Sequence, residues 1–466
     1  MVLIRKIEIL QSLRFLQNDK NRNVILSLSP VILNPSPTVT LSVAKGLGFC
    51  LRVNSAKNIL IFVILFNLLL TPSKIYAEDF KRALPGRIFS FPRDHFSHPE
   101  FKTEWWYYSG HLQSQTPDKK SYGYQLTFFR TALRRETKNQ KSTHSTPRPE
   151  ARGMLRVDTE RRFLSRFKNQ GLAPSNVSKW SIQNLYFAHL ALTDESEKKF
   201  EYQEKMSRGS LGEAGALTYR KDGSPFRIWI EDWSAELKGP GMRDHLLKGG
   251  NTDFGIELML IPEKNPVIHG QNGISQKAEG EGYASHYYSI SCLKTEGKIF
   301  LKGKEFPVQG ISWMDHEFGS SQLREYQAGW DWFGIQLENQ MELMFYQIRH
   351  KDGKIDPYSS GTIIFPDGGY QHLFKKEFQI EVLDKWKSRK SGATYPSKWR
   401  IKIPDHRIEL LLTPTVKDQE LITKESTRVT YWEGSVKVEG KYQNNLVKGR
   451  GYVELTGYAR PFTKGI

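Results

Sequence analysis

Trp313-Met-Asp-His-Glu-Phe-Gly-Ser-Ser321, followed closely by Gly329-Trp-Asp-Trp-Phe-Gly-Ile-Gln-Leu337, decides how this chain is read. The two runs gather three carboxylates, a histidine and several large aromatics, a composition suited to a polar cluster in an aromatic-lined pocket. An earlier stretch repeats the style. Pro92-Arg-Asp-His95 precedes Glu104-Trp-Trp-Tyr-Tyr-Ser-Gly-His-Leu112, so an Asp-His pair followed by an aromatic strand occurs twice, and a tandem duplication is expected.

Outward from these runs the chain keeps the two-residue period of strands. Tyr122–Ala132, Trp180–Leu192, Phe226–Leu237 and Phe254–Ile261 come before the Asp-His stretch, with a short helix expected at Phe200–Ser207. Tyr283–Leu293, Lys298–Val308 with its Lys-Gly turn, Glu342–Arg349, Gly361–Phe365, Trp399–Pro404, Arg407–Leu412, Tyr431–Val438 and Gly449–Gly457 continue the pattern. Aromatic residues make up 12% of the chain and long periodic helical segments are scarce, so the fold class is all-β. Short strands bounded by Gly, Pro, Asn or Asp suit antiparallel barrels or sandwiches, and strand-terminal glycines favour barrels with a ligand held inside. Arg134–Arg152 reads as a long exposed loop, and Pro262–Gly282 as the linker between a domain at 78–265 and another at 280–466.

Residues 1–77 read differently. Lys57-Asn58, the apolar run Ile59–Leu70 and the small residue Ala77 form a signal peptide, too short in its apolar part to span a bilayer comfortably. Export to the periplasm or beyond is expected, with membrane association through an uncleaved segment as the competing reading. A start nearer Leu51 or Val53 gives an ordinary signal peptide, so residues 1–50 read as an extension from a mis-assigned start. Without residues 1–77 the chain keeps 59 basic and 48 acidic residues, dispersed among one another. That reads as a solvated exterior, and no basic-aromatic motif of a nucleic-acid binder occurs. Removal of Cys50 leaves Cys292 alone, a half-buried thiol in a strand with no disulfide partner.

Phe91-Pro-Arg-Asp-His95, His98-Pro-Glu-Phe-Lys-Thr-Glu-Trp-Trp-Tyr-Tyr108, Trp313-Met-Asp-His-Glu317, Tyr431-Trp-Glu-Gly434 and Gly451-Tyr-Val-Glu-Leu-Thr-Gly-Tyr458 resemble the AttH-like, lipocalin-like "predicted hydrolase" family, related to bacterial carotenoid 1,2-hydratases. The resemblance covers roughly residues 85–460. It implies two tandem lipocalin-like (calycin) antiparallel β-barrel domains in an exported bacterial protein, and cofactor-free addition of water to an isoprenoid C=C bond. Asp315-His316 matches the family's Asp-His motif. Phe318 stands where the family commonly has Trp, and Tyr346 falls to the tyrosine role with no aspartate beside it.

Hydration of an alkene requires an acid, an aromatic wall for the carbocation and a placed water. Asp315 or Asp331 is the expected acid, with His316 orienting it and Glu317 and Tyr346 completing the catalytic set. Trp313, Phe318, Trp330 and Trp332 are the expected wall, and Glu104, Trp105, Trp106 and Tyr107 supply a comparable surface in the first domain. No cofactor and no metal enter this chemistry. Hydrolysis has less to build on: Gly310-Ile-Ser312 lacks the closing glycine of a nucleophile elbow and no His-Glu-x-x-His occurs. A pairing of Ser320 or Ser321 with His316, or a metal at His95, His98 and Glu100, is the fragment available to it. A carrier for an apolar small molecule is the reading from another class, and a cluster of Asp315 and His316 opening on the barrel cavity would favour catalysis over it.

Overall fold

The computed structural model describes residues 80–134, 182–251, 253–321 and 323–462, together with two short strands nearer the start. The chain divides into two compact units, Met1–Ala77 and Glu78–Ile466. In the first, β1 (Val39–Leu41) pairs antiparallel with β2 (Phe49–Leu51). Ile59–Leu70 and most of the Arg134–Arg152 loop lie outside the described residues, among which no helix is long and apolar enough to cross a membrane.

The second unit holds two antiparallel sheets. The first comprises β3 (Thr103–Ser114), β4 (Ser121–Ala132), β5 (Asn184–Asp194), β6 (Lys199–Ser207), β7 (Ala214–Ala216), β8 (Arg227–Ile230), β9 (Trp233–Lys238), β10 (Asp244–Gly250), β11 (Phe254–Pro262), β12 (Val267–Ile268), β13 (Ser275–Gln276), β14 (Ala284–Leu301) and β15 (Lys304–Ser321). The second comprises β16 (Gln327–Leu337), β17 (Glu342–His350), β18 (Ser360–Ile364), β19 (Tyr370–Phe374), β20 (Gln379–Lys387), β21 (Thr394–Ile403), β22 (Ile408–Pro414), β23 (Glu420–Ile422), β24 (Thr430–Tyr442) and β25 (Asn445–Leu455). In each sheet the opening strand also pairs with the last long one, β3 on β15 and β16 on β25, and this pairing curls each sheet into a nearly closed barrel.

Each barrel buries its own core. Trp106, Tyr108, Leu126, Trp233 and Leu258 pack inside the first, and Phe333, Phe345, Trp399, Trp432 and Val453 inside the second. The expectation of a ligand hollow inside a barrel is therefore corrected, because the inward rows are filled by large side chains. The β14–β15 hairpin dominates the first barrel, and its turn places Lys302 at φ 49° and Gly303 at φ 74°, the two left-handed positions of a type I′ turn.

Several expectations change. Phe200–Ser207 lies in edge strand β6, not a helix, because its residues alternate with period two and its outer face meets solvent. Phe226–Leu237 folds as the β8–β9 hairpin, turning at Glu231 with φ 54°. The division expected at 265–280 falls instead between Ser321 and Gln327, since β14 pairs with β11 and continues the first sheet. Asp94-His95 sits on a 3-10 turn while Asp315-His316 lies within β15, so the two Asp-His pairs are not equivalent. The aromatic run of β3 is in fact the ladder partner of β15, with Trp105 opposite Glu317 and Trp106 opposite His316. The repeat lives in the sheet plan, where β16 takes the place of β3.

Candidate active site between the barrels

Strand alternation splits the Asp-His motif across a sheet. Along β15, Met314, His316 and Phe318 point into the first barrel, whereas Trp313, Asp315 and Glu317 point outward toward the second. The outer faces of both barrels meet through Tyr107, Tyr287 and Trp313 on one side and Trp332, Met344, Tyr346, Ile348 and Tyr452 on the other. Between them lies a cavity of about 780 Å³.

Two cross-strand rows on the first barrel floor this cavity. Phe129, Trp105, Glu317 and Tyr287 form one, and Thr127, Tyr107, Asp315 and Ser289 the next. Tyr346, Trp332, Glu454 and Glu433 form the facing row on the second barrel. Glu433 and Glu454 are direct ladder partners, and like charges opposite each other in a sheet are destabilising.

The acids are held by indoles and phenols. Asp315 accepts from Trp313 Nε1 at 2.6 Å, from Tyr287 Oη at 2.8 Å and from the Ser289 hydroxyl. Trp332 Nε1 donates to the Tyr287 hydroxyl at 3.0 Å, and Trp330 Nε1 to Glu454 Oε2 at 3.0 Å. Burial pushes the Asp315 carboxyl up to about 7 against these three donors, with the nearby charge of Glu317 adding to the rise. Burial likewise pushes Glu454 up to about 7, and burial together with Glu454 drives Glu433 well above the carboxylate range. The last two titrate as a pair. Lys277 Nζ stands 3.3 Å from Glu317 and 3.8 Å from the centre of the Tyr346 ring. Burial opposes its charge, but Glu317 prevails and holds the ammonium above its usual value. His189 lines the same cavity and is bonded to the Tyr431 hydroxyl, and burial holds its imidazole down at about 3.

The inner face of β15 belongs to another network. His98 donates to Glu104 at 2.8 Å and to Asp94 at 3.2 Å, while Arg130 Nε donates to Glu104 at 3.1 Å and Arg93 to Asp94 at 2.6 Å. His316 Nε2 meets Glu104 at 2.9 Å, and its Nδ1 lies near the Tyr288 hydroxyl and the Asp94 carbonyl. Burial works against every charge here, yet His98 is raised by Asp94 and Glu104, and Glu104 is driven well below the carboxylate range by His316 and His98. His98, Glu104 and His316 bring ligand atoms within 4.8 Å of one another. A doubly protonated His98 has no lone pair for a metal ion, so the chemistry of the donor set fits an ionic clamp instead. It ties the segment Arg87–Phe101 to the first barrel.

The structure therefore brings together Asp315, Glu317, Tyr346, Trp105, Tyr107, Trp330 and Trp332 around one cavity, with Trp313 bonded to Asp315 beside it. It separates His316, Trp106 and Phe318, which face the first barrel's interior; Trp106 stacks on His316 at 4.7 Å between ring centres. Glu104 borders the cavity but spends its carboxylate on the clamp. Asp331 takes Arg349 Nε and the Tyr458 hydroxyl, each at 2.9 Å, and does not line the cavity. Both ring nitrogens of His316 are committed and the Ser320 hydroxyl donates to the Lys81 carbonyl, so among the described residues His316 is bonded to neither Ser320 nor Ser321. Glu100 pairs with Lys81 at 3.8 Å and stands apart from His98's partners. Sequence reasoning missed Glu433, Glu454, Tyr287 and Lys277 as site residues. The signal for the two glutamates was a carboxylate on the otherwise uncharged face of Tyr431-Trp-Glu-Gly-Ser and Tyr452-Val-Glu-Leu-Thr.

The AttH-like family model matches residues 82–155 and 151–458. The chain belongs to the AttH-like family. Its fold is shared by the crystal structure of an AttH protein from Nitrosomonas europaea, at 28% identity and a TM-score of 0.65, over 81% of this chain and 99% of that one. A kievitone hydratase from Nectria haematococca matches at 12% identity and a TM-score of 0.56, over 82% and 97% of the two chains, and shows the same fold. A comparison with the curated proteins found no match. Two curled sheets in an AttH-like chain are the lipocalin-like arrangement that the sequence motifs imply.

Proposed function

We propose that the cavity between the barrels is an acid–base site that adds water to a C=C bond of an apolar isoprenoid or lipid molecule without a cofactor. The observation that carries this reading is that Asp315 and the ladder partners Glu433 and Glu454 face one aromatic enclosure, where burial raises all three carboxyls above the usual carboxylate range. A protonated carboxyl gives its proton to one alkene carbon, and the faces of Trp105, Trp330 and Trp332 stabilise the cation left on the other. Water adds to that carbon and its proton returns to the carboxylate that gave one up, so one H and one OH are added across the bond and the acid is restored. A neighbour that is a hydratase supports the reaction class. Export supported by Lys57–Ala77 belongs to the same proposal, and a mature chain beginning at Glu78 would bear it out.

The test is incubation of the purified protein with a bacterial lipid extract in H₂¹⁸O. The expected product carries one ¹⁸O and disappears with Glu454→Gln, which should lower turnover by about 10²–10⁴-fold. Stoichiometric recovery of an unaltered lipid from both proteins would turn the reading to a carrier.

A further inference from the structure

Lys277 lines the cavity between the barrels and has no part in the reaction proposed above. Its backbone is fixed on both sides: the N–H donates to the Tyr283 carbonyl at 2.9 Å and the carbonyl accepts from Gln327 Nε2 at 2.9 Å. Strand β13 just before it is pinned as well, because the Tyr346 hydroxyl bonds Ser275 and the Gln276 carbonyl. The root of the side chain is therefore set before any ligand arrives.

The residue is only 7% exposed, yet its ammonium is poorly matched to its surroundings. Glu317 Oε1 stands 3.3 Å from Nζ as a counter-charge, and the ring centres of Tyr346 and Tyr287 lie 3.8 and 5.1 Å away. Ring faces attract the charge but offer no lone pair to an N–H. An ammonium carries three donors and Glu317 Oε1 takes at most one, so the others have no acceptor among the described residues and are left to the hollow. Folded proteins rarely leave buried donors in that condition. The other cations on the wall are served elsewhere. Arg130 is held by Glu104, and Arg324 by the Glu279 carbonyl and the Tyr283 ring, while Lys351 is exposed and Lys102 half-buried, where solvent reaches them.

We propose that the Lys277 ammonium is the anchor for an uncharged carbonyl oxygen, so that the molecule taken by the cavity is an apolar ketone, aldehyde or ester. The oxygen supplies lone pairs to donors that lack them and adds no charge. A carboxylate in its place would face Glu317, which already balances the ammonium, in an enclosure shared with Asp315, Glu433 and Glu454. Glu317 and Asp315 are two residues apart on one face of β15, about 7 Å along the strand, so a carbonyl held at Lys277 leaves the carbons a few bonds away beside the acid. The inference rests on the reading above only in treating the cavity as a ligand site.

The experiment titrates the full chain with 2-octanone labelled with ¹³C at the carbonyl, with octane and with octanoate. Because none of them has a C=C bond, recognition is tested apart from hydration, and a failed ¹⁸O incorporation leaves the result standing. Lys277→Met should weaken 2-octanone about tenfold and leave octane unchanged. The carbonyl resonance should move downfield on binding to the parent protein and stay in place with the variant. Lys277→Met combined with Glu317→Gln, which leaves no buried charge unpaired, serves where the single variant does not fold. Octane and 2-octanone weakened alike, a carbonyl shift that survives the substitution, or octanoate losing more than 2-octanone would overturn the anchor. Binding of none of the three would overturn the cavity as a ligand site, and the anchor with it.

Discussion

The two faces of the β3–β15 ladder carry carboxylates that are about equally buried and behave in opposite ways. On the inner face Glu104 is pushed below the carboxylate range; on the outer face Asp315 is pushed up to about 7. Burial alone raises both, so the sign is set by what stands opposite. Glu104 meets His98, His316 and Arg130, with Asp94 held by Arg87 and Arg93 nearby. Asp315, Glu433 and Glu454 meet indoles, a phenol and one another. One pair of strands thus supports a clamp on one side and a reservoir of protons on the other, and the counter-ion, not the depth, tells them apart.

The sharpest way to break that comparison is to remove the clamp's carboxylate. Glu104→Ala leaves Arg130 and His98 buried without their partner and should cost about 3–5 kcal/mol of stability, read as a lowered urea midpoint. A loss below about 1 kcal/mol would mean that the inner network is as loosely paired as the outer one. The next effect is on rate. An acid that must be protonated, with its carboxyl at about 7 for Asp315 and Glu454, gives activity that is level below pH 7 and falls about tenfold per unit, or ~1.4 kcal/mol, above it. A profile rising through pH 7 would make these groups bases instead.

The same contrast explains what the sequence could reveal. Strand period and the aromatic runs gave an all-β chain, and the AttH-like motifs gave two barrels, because those features are local. Which side of a strand faces a second barrel is not local. Asp315 and His316 are neighbours in sequence, and only the packing of Tyr107 and Trp313 on Trp332 shows that one faces the cavity and the other a filled core. Glu433 and Glu454 lay in motifs already singled out, yet nothing in either run shows that β24 and β25 set them side by side. Asp331 misled for the same reason: its partner Arg349 comes from the neighbouring strand β17, and no spacing rule points to it.

The smallest effect tests the outer face by itself. Glu433 is raised in the folded protein, so the fold binds its proton between the unfolded carboxylate value and the higher folded one. Its contribution to stability is complete below about pH 4 and is lost as pH rises through the folded value. Gln resembles the protonated acid and cannot ionise. Glu433→Gln should therefore match the parent protein near pH 4–5 and exceed it by about 1 kcal/mol near pH 8, where the parent must hold two unpaired charges on adjacent strands. Chemical denaturation at the two pH values measures the difference. A variant that loses stability at pH 8 would show Glu433 to be paired as Glu104 is, and the distinction between the two faces of the sheet would no longer stand on counter-charge.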